Sequence, residues 1–175
     1  MAKTCLNRIS GNFIQPCMIS PMGIKDIYLM YSSDVTIAYG FDTYLVGSVE
    51  FAPGTRSYKV EGYKQNIQIS SSLRALDASA KLDVSISFKI PQTNRGAWRN
   101  LLSGRFYVMA VHNDNRSRPS FIGATSPLEV TASDFDSNAG AGLVTITLGA
   151  PEGSAGNYIL DVAGTARDLI ISKSV

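Results

Sequence analysis

LDVSISFKI, residues 82–90, alternates without a fault: Leu82, Val84, Ile86, Phe88 and Ile90 fall on one side, Asp83, Ser85, Ser87 and Lys89 on the other. A period of two places all five apolar side chains on one face of an extended chain and predicts a strand buried on that face and wet on the other. The same period recurs in LVTITLG, where Val144, Ile146 and Leu148 alternate with Thr145 and Thr147, and more briefly in NIQIS with Ile67 and Ile69. IKDIYLMY, DVTIAY and TYLVGSVEF are rich in aromatic and β-branched residues and are punctuated by Ser32-Ser33-Asp34 and Gly40-Phe41-Asp42, the rhythm of an antiparallel meander. The expected fold is therefore all-β and mainly antiparallel, a β-sandwich or β-barrel.

One segment argues for helix. After Pro91, TNRGAWRNLLSG offers Thr93 or Asn94 as a cap, Ala97 with Leu101 and Trp98 with Leu102 at helical spacing, and Gly104 as a stop, which predicts one short flanking helix around residues 94–103 with Trp98 packed on the sheet. Residues 1–22 read as an extended N-terminal arm, 23–162 as the β-domain and 163–175 as a C-terminal strand or tail, with residues 168–172 as its strand. Two long loops stand out: residues 51–66, expected to form a β-hairpin extension carrying Tyr58 and Tyr63, and the glycine-rich residues 133–142.

Composition narrows the function. Charged residues make up 17% of the 175, against roughly 25% in an average globular chain, so the surface must be rich in uncharged polar groups or be covered by other protein. Basic and acidic residues are spread without runs to a net charge of +2, leaving no stripe for a phosphate backbone. No stretch approaches the roughly 18 apolar residues of a membrane span, and the start is broken by Lys3, Arg8, Gly11 and Pro16 where a secretory leader needs a continuous apolar run. A cytosolic origin is expected, with Cys5 and Cys17 as free thiols.

Catalytic chemistry finds little to use. The single histidine, His112, ends the apolar run RFYVMAVH just before the turn residues of NDNRSRP, and reads as a strand end, not a general base. Asp134 and Asp136 are the nearest carboxylate pair, but DFDSNAGAG lacks the downstream glutamate of a calcium loop, and Gly140 and Gly142 open no phosphate-binding helix. No metal site, cofactor or enzymatic activity is expected. Arg56-Ser57-Tyr58-Lys59 and Tyr63-Lys64 interleave basic and aromatic residues and read as a solvated face suited to protein contact.

The order of features is similar to a known group. MGIKDIYLMY, the β-rich middle ending in LDVSISFKIPQTN, AWRNLLSGRFYVMAV, HNDNRSRPSFIG and the glycine-rich loop before LVTITLG resemble, over residues 23–149, small structural proteins of tailed bacteriophages, especially those of Bacteroides-type hosts such as the crAss-like phages. Where that group often has an asparagine–glycine turn in the central hairpin, this chain has NDNRSRPS. The resemblance implies a virion protein of the tail or head–tail neck, assembled in the bacterial cytoplasm as a homo-oligomeric ring beside other tail or neck proteins. Non-specific proximity to DNA in a channel would follow, with no membrane and no catalytic residues. The expected assembly contacts are Phe13, Ile14, Met18 and Ile19 of the arm, Phe51, Tyr58 and Tyr63 of the first long loop, and Phe135 of the second. The alternative is a receptor- or carbohydrate-binding module of a fibre or baseplate.

Overall fold

The structure is a computed structural model that describes residues 23–40, 44–62, 66–76, 79–91, 95–113, 118–135, 142–154 and 156–174. Phe13, Ile14, Met18, Ile19, both cysteines, Tyr63 and Asp136 lie outside the described residues, as does the side chain of Trp98.

Eleven strands are described: β1 (Ile24–Tyr31), β2 (Val35–Gly40), β3 (Leu45–Phe51), β4 (Tyr58–Glu61), β5 (Gln68–Leu76), β6 (Ser79–Pro91), β7 (Phe106–His112), β8 (Ser120–Ile122), β9 (Glu129–Phe135), β10 (Leu143–Gly149) and β11 (Leu160–Val162). They form two sheets, one in the order β2-β3-β11-β8-β7-β1-β4 and one in the order β5-β6-β10-β9. Every ladder is antiparallel except the short pairing of β11 with β3. Helix α1 (Arg95–Leu102) links β6 to β7, and α2 (Gly164–Ser172) follows β11.

The alternating segment lands as its pattern requires. On β6, Val84, Ile86, Phe88 and Ile90 are buried, and β10 sets Val144, Ile146 and Leu148 beside them in register with Ile90, Phe88 and Ile86. They pack against Ile27 and Leu29 of β1 and Val108 and Ala110 of β7, which closes the sandwich between the two sheets. The opposite face of the four-stranded sheet carries Ser70, Ser72, Asp83, Ser85, Ser87, Lys89, Thr145 and Thr147 by register.

The central strands of the seven-stranded sheet, β1, β7 and β8, are largely buried on both faces, and chain connectivity gives the reason. Residues 32–34 join β1 to β2, yet the sheet order separates these strands by five spacings, about 24 Å if flat. Four residue steps from Tyr31 to Val35 reach about 14 Å at most. The sheet must therefore roll until its ends approach, and backbone bonds from Asp34 N–H to the Tyr31 carbonyl (3.1 Å) and from Ala52 N–H to the Asp34 carbonyl (2.8 Å) stitch that approach. Inside the roll lie Met30, Val46, Met109 and Phe121, packed with Ala166 and Ile170 of α2. A strand with both faces covered can be apolar at every position, which accounts for the unbroken YLMY of β1 and YVMAV of β7.

Three expectations need correction. Residues 168–172 are helical, not a strand: Ala166 and Ile170, one turn apart, turn to the core, and the helix end is tied down where Ser57 Oγ donates to the Ile170 carbonyl at 2.7 Å. Residues 51–66 make no hairpin among the described residues; they carry β4, a single edge strand laid antiparallel on β1. The first three strands are not a simple meander either, since β2 pairs with β3 while β1 pairs with β7 and β4. The all-β class and the short helix near residues 94–103 are as expected, with α2 as a second helix. At its end, Gly104 N–H donates to the Leu101 carbonyl, and a Cβ on Gly104 would run into the rings of Phe106 and Tyr31.

Candidate functional site

Two surfaces are left incomplete by this architecture, and both derive from strands with a free side. The first is the four-stranded sheet. Its terminal strands, β5 and β9, each have one neighbour among the described residues, so each presents a row of backbone N–H and carbonyl groups outward. β10 pairs with β6 only from Ser85 to Pro91, whereas β5 pairs with β6 from Ser87 down to Ser79. The β5–β6 hairpin consequently runs past β10 as a two-stranded ribbon, and on it Leu73 is 70% exposed. The edge strand QISSSLRAL carries three consecutive serines and, before Arg74, no charge to discourage pairing. β9 ends on Phe135, 45% exposed, and has a register irregularity opposite Thr147 and Leu148.

The second surface is an apolar groove of about 670 Å³ along the open flank of the sandwich, where β4 ends the rolled sheet without meeting β6. Leu29, Tyr31, Tyr58, Ile90, Leu101 and Phe106 form its apolar wall. Tyr31 organises that wall, its ring centroid 4.8 Å from Phe106 and 5.9 Å from Tyr58, the latter edge-on with planes at 89°. Burial pushes the Tyr31 hydroxyl above its ordinary range, and nearby Tyr58 and Asp34 add to the shift. On the rim, Lys59 Nζ lies 2.9 Å from Glu61 Oε1 and 3.7 Å from Asp26 Oδ1. The hydrogen bond to Glu61 raises the Lys59 ammonium and, in return, lowers the Glu61 carboxyl.

Of the residues singled out in the sequence, Tyr58 is half exposed on the groove, and Phe135 is half exposed at the end of β9. Phe51 is not a free loop side chain: it closes β3 and packs against the core of the roll. His112 ends β7, and its Nε2 lies 2.8 Å from Ser120 Oγ on the adjacent strand. Asp134 sits in β9 opposite Thr145. Among the described residues no three histidine, cysteine or acidic side chains gather as a metal site, and no helix is long and apolar enough to cross a membrane.

Other buried polar groups are structural stitches. Asn157 is fully buried, donates from Nδ2 to the Ser126 carbonyl at 2.8 Å and accepts from Ser126 N–H at 3.1 Å, which binds the turn before β9 to the segment before β11. Sequence reading missed the groove because Tyr31, Tyr58 and Phe106 are brought together only by the β1 ladders with β4 and β7. It missed the open edge as well, although the uncharged run Ser70-Ser71-Ser72 was a signal for it.

No protein-family model, no curated protein and no solved structure matches this chain.

Proposed function

We propose that the chain is a self-assembling subunit of a bacteriophage virion, forming a homo-oligomeric ring in the tail or head–tail neck and acting by protein–protein contact. The observation that carries this reading is the four-stranded sheet whose two edges, β5 and β9, are both open among the described residues. If the β5 edge of one copy pairs with the β9 edge of the next, each copy uses two different surfaces, and such head-to-tail contacts close into a ring when the rotation per copy allows. A β5–β5 pairing would give a dimer and leave β9 open. The low charge of the chain supports a surface largely covered by copies of itself. The virion setting rests on the resemblance of residues 23–149, and the reading assigns no catalytic residue, metal or cofactor.

Light scattering over a concentration series, at low and moderate salt, tests it. The expected result is growth to one discrete multiple of the 18.8 kDa chain mass. A mass that stays at one chain throughout, together with glycan binding by that monomer, would transfer the reading to a receptor- or carbohydrate-binding module. The half-exposed Tyr58 beside the partly buried Tyr31 favours that alternative, but their perpendicular planes make no flat platform for a sugar ring.

A further inference from the structure

We infer that the groove beside β4 is the seat of the chain's own residues 13–19. Three observations converge on this occupant. The groove is apolar, and its outer lip is β4, the terminal strand of the seven-stranded sheet among the described residues, with one side paired to β1 and the other open. An extended segment laid on that open side would satisfy the edge and place side chains over Tyr58, Leu101 and Phe106.

The segment preceding β1 has the right chemistry. No charged residue occurs from 9 to 22, while Phe13, Ile14, Met18 and Ile19 are apolar, and Pro16 is tolerated on an edge strand that needs only some of its N–H groups.

The point of departure is also right. Gly23 has φ +126°, a conformation that favours glycine, and its carbonyl accepts from Asn113 N–H at 3.0 Å. Gly62 N–H donates to the Lys25 carbonyl at 2.6 Å, and Glu61, which lines the groove, stands opposite Asp26. The root of the segment is thus at the groove's own end. A strand outside β4 lies about 10 Å from β1, two spacings, which residues 20–22 cover as the link while residues 13–19 lie along the groove. Tethering decides between this chain's segment and a neighbour's: a short link holds the local concentration near ~1 mM, well above that of free copies in micromolar solution. The inference does not depend on ring formation.

Amide hydrogen exchange tests it in the full chain, in a chain lacking residues 1–22, and in a full-length Phe13→Asp, Ile14→Asp double variant that leaves the domain intact. The segment's loss should speed exchange at Tyr58 to Glu61 by ~10-fold or more with Ile86 and Ile146 unchanged, as for a strand edge opened to solvent. The double variant should match the truncation, and a synthetic peptide of residues 9–22 added at about 1 mM should restore protection. Equal exchange at β4 in all three proteins would overturn the inference. So would transfer of protection to isotope-labelled truncated chain mixed with unlabelled full-length protein, because that would make the occupant a neighbour's segment.

Discussion

The two sheets share one core yet meet opposite fates. The seven-stranded sheet rolls on itself, fills its interior with Met30, Met109 and Phe121, and packs α2 against that interior, so its central strands β1, β7 and β8 are largely covered on both faces. The four-stranded sheet is covered on one face only, turns serine and threonine hydroxyls outward on the other, and stops at β5 and β9 with nothing beside them among the described residues. The first sheet buries most of its apolar surface within one chain and, among the described residues, leaves β4 open on one side. The second is built to the same standard inside and left open at its sides among the described residues, and the proposed assembly rests on those sides.

The contrast can be broken most forcefully in the shared core. Phe88 is fully buried on β6, and Phe88→Ala should lower stability by about 3–5 kcal/mol, seen by chemical denaturation, because removal leaves a cavity under both sheets. Ile170→Ala, which unplugs the roll, should cost about 2–5 kcal/mol. A single shifted transition would join the roll to the sandwich as one cooperative unit, whereas an early partial transition would divide them.

Alkaline titration sharpens the comparison with a smaller effect. Burial pushes the hydroxyls of Tyr28, Tyr31 and Tyr107 up, with Asp26 adding to Tyr28, Tyr58 and Asp34 to Tyr31, and Tyr39 to Tyr107. A group whose folded pKa is raised stabilises the fold fully below its unfolded value, near 10 for tyrosine, and loses that contribution as pH rises through the folded value. All three lie on the rolled sheet, so stability should fall above about pH 10, and Tyr28→Phe should make the fall shallower in a pH series of denaturation curves. The least effect on folding is expected from Leu73→Lys on the exposed ribbon, within about 0.5 kcal/mol of the parent, although the added charge on an open edge should abolish assembly in light scattering.

The parts legible from sequence are those where local pattern and tertiary role agree. Residues 82–90 alternate because one face is dry and one wet, and α1 shows its helical spacing and its terminal Gly104. Residues 164–172 misled because Leu169-Ile170-Ile171 has high strand propensity; the Ala166 and Ile170 spacing was present, but only the cavity inside the roll makes that weak helical signal decisive. The roll itself follows from strand order, which no local pattern encodes. Of the candidate contacts, Tyr58 and Phe135 are about half exposed, while Phe51, which ends β3, packs partly buried against the core of the roll.

The most direct test of an unfinished sheet is to ask whether its two edges find each other between copies. In a Cys5→Ser, Cys17→Ser background, Ser70→Cys or Ser72→Cys on β5 is combined with Thr131→Cys on β9 and oxidised. Within one copy these strands are three spacings apart, about 14 Å, beyond the roughly 7 Å limit between the Cα atoms of a disulfide, so any bond must join two chains. The account predicts a ladder of covalent multimers that ends at the mass of the closed assembly, with neither single-cysteine variant able to pass beyond a dimer. Monomers alone, at concentrations where the parent protein is assembled, would contradict it.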